Sequence, residues 1–238
     1  MDGSVRSFTL RLRPAAAAWL AAAVAAAPAR GVAAQGTISG RITVLEREGS
    51  RTTDLENAVL WLEPADGGGT GGAPSAPQIV MESRTFRPAV RVVTPGSTVP
   101  FPNYDPFRHN VFSNTGPGAF DLGLYGRGEV RSARIDRPGI YPIFCNIHAR
   151  MVAYVVAVPT PWHAQAGADG HFEIPRVPGG RYRLRAWHDR AGERTQDVTV
   201  TDGAAARVDV ALDARGWRRL PHRNKFGQEY PPESRDRY

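Results

Sequence analysis

The chain has 238 residues, a formal net charge of +7 and one cysteine. The charge does not mark a nucleic-acid binder: residues 1–34 and 214–238 carry nearly all of the excess, and no basic stretch is interleaved with aromatics. A single cysteine excludes an internal disulfide, so in an oxidising compartment the thiol is buried, paired with another chain or occupied by a metal.

Arg6, Arg11 and Arg13 precede the apolar run AAAAWLAAAVAAAP (15–28), and the small residues VAA (32–34) follow it. That order reads as a secretory signal peptide over residues 1–34, with an apolar run too short to span a bilayer. The mature protein is expected to be periplasmic or secreted. No later segment is apolar enough to make a membrane span.

From there the periodicity is that of strands. TISGRITV (37–44) puts Ile38, Ile42 and Val44 on one face, and NAVLWLEP (57–64) is a second apolar strand ended by a proline. DGGGTGGAPSAP (66–77) reads as a flexible linker. After it come AVRVVT, TVPFPN, HNVFS, FDLGLY, VRSARI, IYPIFCNIH and VAYVVAV (152–158), with turns at PGS and DRPG. Short strands at this spacing predict an all-β sandwich or barrel. A second series runs through ADGHFEI (168–174), RYRLRAWH (181–188), DVTVTDG and AARVDVAL. Beyond Leu212 the periodicity fades, so 214–238 is expected to be an extended, solvated basic tail.

The chemistry concentrates in CNIHARM (145–151). Cys145, His148 and Met151 lie three residues apart on one short loop. Alone, a cysteine packs as a small hydrophobe and a methionine fills core space. Together, thiolate, thioether and imidazole select copper, and two histidines with a cysteine and a weak axial methionine make a blue-copper site. The loop supplies three of those four ligands. His109, in PFRHNVFS, is the natural fourth. His163, His171, His188 and His222 lack such company and are expected on the surface or in turns.

VTPGSTVPFPNYDPFRHNVFS together with RPGIYPIFCNIHARM resembles the plastocyanin and amicyanin family of cupredoxins over roughly residues 78–160. The resemblance implies a Greek-key β-sandwich holding one type 1 copper ion on His109, Cys145, His148 and Met151. It implies that Asn110 ties the histidine strand to the cysteine loop by hydrogen bonds. GPGAFDLGLYGRGE departs from plastocyanin and is similar to exported plastocyanin-like proteins labelled methylamine-utilisation proteins. GADGHFEIPRVPGGRYRLRAWH resembles the second half of a carboxypeptidase-regulatory-like, transthyretin-like sandwich, and GTISGRITV with ENAVLWLEP is similar to its first half. The expected organisation is therefore one such sandwich split into 35–65 and 161–213, with the copper domain (78–160) inserted between its halves; the alternative is two independent pieces, with the N-terminal hairpin packing on the cupredoxin.

The function implied is single-electron transfer between redox partners, without enzymatic activity. An oxidase or nitrite reductase would need a second copper centre with clustered histidines, and no nucleophile motif of the G-x-S-x-G kind is present. The alternative is a copper-binding, storage or scaffold protein with a structural metal. Arg108 and Arg150 flank the histidines, with Asp105 offsetting part of their charge, so the expected redox protein partner presents an acidic face.

Overall fold

The computed structural model describes residues 34–50, 52–68, 71–219 and 222–230. The signal peptide expected over 1–34 lies outside the described residues except for Ala34, and among the described residues no helix is long and apolar enough to cross a membrane. The fold is all-β. Among the described residues the one short helical turn, Leu55–Asn57, is of the 3-10 type.

A central sandwich occupies the middle of the chain. One layer is a five-stranded sheet in the order Val90–Val93, Val152–Ala157, Gly139–Cys145, His109–Ser113 and Phe120–Tyr125. Only the first pair is parallel; the other neighbours run antiparallel. Against it lie the pair Ser97–Pro102 with Val130–Ile135 and the hairpin Val80–Glu82 with Thr85–Arg87. Alternation decides what goes inside. Tyr141, Ile143 and Cys145 point to the core, as do Val99 and Phe101 from the facing layer, and all are buried.

The flanking sandwich is built from both ends of the chain. Gly36–Leu45 pairs antiparallel with His171–Val177 and parallel with Ala205–Arg207 and Val210–Asp213. Gly40 sits where that strand passes from one parallel partner to the next. A Cβ there would stand 1.9 Å from the Val208 carbonyl oxygen, so only glycine fits. The second sheet orders His163–Gln165, Val59–Pro64, Gly180–His188 and Gly192–Val200, all antiparallel.

The run VLWL in the strand Val59–Pro64 is continuous because it is buried on both faces. Leu60 and Leu62 enter the core of the flanking sandwich, with Ile38, Phe172 and Leu184. Val59 and Trp61 face the other way and join Val90, Val156, Val158 and Trp187 in a cluster between the two sandwiches. Tyr154 meets Trp187 edge-on there, at 5.3 Å between ring centroids. This interface fixes the central sandwich on the flanking one.

Two stretches expected to be loose are held in place. Within 66–77, Ala73 accepts a hydrogen bond from Thr94 Oγ1 (2.7 Å), and Ser75 exchanges bonds with Ser97 and Thr98. The tail was expected to be solvated, yet residues 222–230 return to the central sandwich beside Cys145. Its polar and aromatic side chains find partners there that periodicity alone does not reveal.

Candidate metal centre

His109 is the first residue of His109–Ser113, and Cys145 is the last residue of the neighbouring strand Gly139–Cys145. The register pairs Cys145 with Val111, which brings the cysteine to the end of the sheet where His109 stands. The loop then turns back within six residues to the strand Val152–Ala157. Its closure is local: the Met151 amide donates to the His148 carbonyl (3.1 Å), and the Cys145 amide to the Met151 carbonyl (3.3 Å). The spacing in CNIHARM is thus the spacing of one tight turn at a sheet end.

The structure brings three of the expected ligands together. Cys145 Sγ lies 3.7 Å from His109 Nδ1 and 3.6 Å from His148 Nδ1. The three donor atoms all fall within 4.8 Å of one another. For bonds of about 2.3 Å to sulfur and about 2.0 Å to nitrogen, a trigonal angle separates the donors by roughly 3.7 Å. The donor set therefore fits a metal at its centre. Met151 is buried in the same core cluster as Cys145, at the far end of the loop. Of the four residues His148 is the most exposed, at 6%. Phe107 packs against both histidines, with centroids 5.2 Å from His109 and 5.6 Å from His148.

The electrostatics suit a metal ligand set. Burial pushes the Cys145 thiol up from its ordinary value, while the amides of Asn110, Ile147 and His148 face the sulfur and favour thiolate. Burial also holds the His109 imidazole below its ordinary value, against the pull of Asp105. The ring is accordingly neutral near pH 7: Nε2 donates to Asp105 Oδ2 at 2.8 Å, and the Nδ1 lone pair faces Cys145. The contact is short enough for an ion pair, but a buried neutral imidazole is its better description.

Asp105 is the residue that sequence reasoning misplaced. Expected to offset charge on the rim, it is 5% exposed and supports the site from beneath. Burial alone would raise its carboxyl; the amides of Arg84 and Ser83 and the His109 ring outweigh that and hold it low. Ser83 and Arg84 form the hairpin turn between Val80–Glu82 and Thr85–Arg87, with φ of 53° and 54°. Positive φ at both turn positions normally calls for Asn-Gly. Here the turn amides reach Asp105 instead, at 2.7 and 2.9 Å. The available signal was an acidic residue four positions before a ligand histidine, which distinguishes nothing without the hairpin.

The Asn110 backbone meets the cysteine loop: the Asn146 amide donates to the Asn110 carbonyl at 3.1 Å. Its side chain turns to Asp121, with Nδ2 donating to Oδ1 at 2.6 Å. Arg108 and Arg150 are both exposed.

Two of the remaining histidines are not where they were expected. His188 is fully buried, because the strand Gly180–His188 ends inside a polar pocket with Asp54 and Asp189. Its Nδ1 accepts from the Arg190 amide (3.2 Å) and its Nε2 donates to the Asp54 carbonyl (3.1 Å), while Arg190 clasps Asp54 and Glu46. Both ring nitrogens are engaged, which makes this a structural histidine. His222 is half-buried and stacks on Phe144, with 4.3 Å between centroids and 26° between planes. His163 is partly buried and His171 exposed.

The family model for the carboxypeptidase regulatory-like domain matches residues 150–213. The match begins in the loop after Cys145 and takes in the strand Val152–Ala157, which pairs within the central sandwich. It leaves out Gly36–Leu45 and Val59–Pro64, which complete the flanking one. Among solved structures, a purple cupredoxin from Nitrosopumilus maritimus is 21% identical, covers 34% of this chain and 99% of its own, and has a TM-score of 0.32. Amicyanin from Paracoccus versutus is 18% identical over 41% of this chain and 97% of its own, at a TM-score of 0.33. A copper-containing nitrite reductase from Thermus scotoductus is 23% identical over 49% of this chain, with only 28% of its own length covered, at a TM-score of 0.34. No curated protein matches the chain. The chain is an all-β composite. Residues 150–213, most of which lie in the flanking sandwich, resemble a carboxypeptidase regulatory-like domain.

Proposed function

We propose that the protein is an exported type 1 copper protein that carries single electrons between redox partners. The observation that carries this reading is the arrangement of His109 Nδ1 and His148 Nδ1 about the buried Cys145 Sγ at near-trigonal separations. Met151, buried in the same cluster, would supply a weak thioether donor to that metal. Copper bound there supplies one-electron chemistry between its two common oxidation states. The chain supplies the rest: sheet ends and a closed loop hold the donors in place, Asp105 fixes the His109 tautomer, and the core excludes water. His148, the least buried of the four, is the exit toward a partner. Arg108 and Arg150 give the rim its positive charge, which favours an acidic partner.

The same reading takes residues 78–160 as a copper domain set into a sandwich made of 35–65 and 161–213, with 66–77 as the connection. The pairing of Gly36–Leu45 with His171–Val177, and of Val59–Pro64 with Gly180–His188, supports it. The test of function is the absorption spectrum of the copper-loaded protein. An intense thiolate-to-copper band in the visible, at one copper per chain, is the expected result. Tight binding without that band would leave copper storage or a structural metal as the better account.

A further inference from the structure

Residues 222–230 grip both arms of the metal centre. On the cysteine arm, Tyr230 Oη donates to the Cys145 carbonyl at 2.7 Å, and the Lys225 amide donates to Asn146 Oδ1 at 2.9 Å. On the histidine arm, Lys225 Nζ pairs with Asp121 Oδ2 at 2.6 Å, and Asp121 Oδ1 is the atom that accepts from Asn110. Asn110 follows His109 and Asn146 follows Cys145. His222 covers Phe144, the residue before the cysteine, and its Nδ1 lies 3.2 Å from the same tyrosine oxygen.

We propose that this C-terminal segment is an integral part of the metal centre, with Tyr230 and Lys225 as positioning residues that hold the Cys145 arm against the His109 arm. The proposal rests on the copper reading above. Packing alone would require only the His222 ring over Phe144. The segment does more: it satisfies the Cys145 carbonyl and neutralises Asp121 behind Asn110. The Tyr230 phenol O–H is the donor in the bond to the Cys145 carbonyl. Its O–H dipole points its positive end at the peptide that follows the cysteine. A positive end there disfavours loss of an electron from a thiolate-bound metal, so it raises the reduction potential.

The test uses the full chain with Tyr230→Phe, which keeps the ring and removes the donor, and Lys225→Met, which removes the ion pair. In the metal-free protein, exchange of the Asn146 amide, bonded to the Asn110 carbonyl, should quicken roughly fivefold in either variant. In the copper-loaded protein, Tyr230→Phe should shift the reduction potential downward by voltammetry. A wild type with no thiolate-to-copper band overturns the copper reading and takes this proposal with it. A wild type with the band, whose Tyr230→Phe variant keeps its potential, overturns this proposal alone. Faster exchange without a change in potential belongs to that second case, because it leaves the segment as packing.

Discussion

Asp105 Oδ2 accepts from His109 Nε2 at 2.8 Å, and the same carboxylate accepts the amides of Ser83 and Arg84. One residue thus couples the orientation of a ligand ring to a hairpin turn held at positive φ. Asp105→Asn keeps the shape but replaces one acceptor oxygen with a donor. Metal affinity should fall on the order of 10–100-fold, as for other losses of an outer partner of a metal-bound histidine. Folding stability should fall by about 1–3 kcal/mol as a turn amide or the His109 N–H loses its acceptor. Titration with cobalt and urea denaturation of the metal-free protein measure the two separately. Unchanged metal affinity would reduce Asp105 to a turn support.

Cys145→Ser should abolish both the visible band and tight copper binding, because the thiolate is the strongest donor and the buried hydroxyl cannot replace it. Met151→Leu should keep the metal and raise the potential, since a weak axial donor that favours Cu(II) is lost. Spectroscopy and voltammetry on the two variants check this. A potential that ignores Met151→Leu would return that residue to the core.

The turn that carries Cys145, His148 and Met151 was legible because its information is local: the three lie within seven residues, and strand alternation places the cysteine inward. The strand VLWL was legible as apolar, though not its second partner surface, since Trp61 and Trp187, on neighbouring strands of the flanking sheet, meet Val90 and Val156 only across the interface between sandwiches. Asp105 and the segment 222–230 were not legible. Their partners come from a hairpin turn more than twenty residues away and from a loop about eighty residues upstream. Hydrogen bonds between polar side chains and distant backbone leave no period in a sequence.

Metal-free stability should decline as the pH falls from about 7 to about 5. Burial, ahead of the accepting Thr160 carbonyl, holds the His163 imidazole below its ordinary value, and burial does the same to His109 and His222. In this window the unfolded chain binds protons at these histidines that the folded chain does not. Stability is therefore full above about 6.5 and is lost as the pH drops toward the lowered folded values. Asp189, raised mainly by burial, acts in the opposite sense at lower pH. His163→Gln should flatten the slope of the urea midpoint against pH. An unaltered slope would mean that His163 titrates alike in both states.

Excising 78–160 and joining the ends with a short glycine linker should leave a folded β-sandwich, because its strands pair with one another and Leu60, Leu62 and Leu184 keep their core. The product should lose stability, since Val59, Trp61 and Trp187 lose the cover of Val90, Val156 and Val158. At about 1.5–3 kcal/mol for each large apolar side chain fully uncovered, that loss can consume much of a small domain's margin. Trp61→Thr together with Trp187→Thr should therefore improve the solubility of the excised form. Circular dichroism and a cooperative melt are the readout, and a disordered product from both versions would mean the flanking strands need the central sandwich to fold.

Arg108 and Arg150 are both exposed, and Asp105, buried and committed to His109, offers no carboxylate to solvent between them. A partner with an acidic face would be drawn to this rim before contact, and the attraction would act mainly on the association rate. Such steering weakens as added salt shortens the screening length to ~8 Å at physiological ionic strength. Electron transfer to the native partner should slow as salt is added. Arg150→Glu should slow it further at low salt and make little difference at high salt, because the reversed charge is then screened too. Arg108→Glu should act in the same direction. Second-order rate constants from stopped-flow mixing across a salt series decide the point. Rates indifferent both to salt and to the two reversals would leave the apolar surface at Ile147, which is 40% exposed beside His148, as the contact that guides docking.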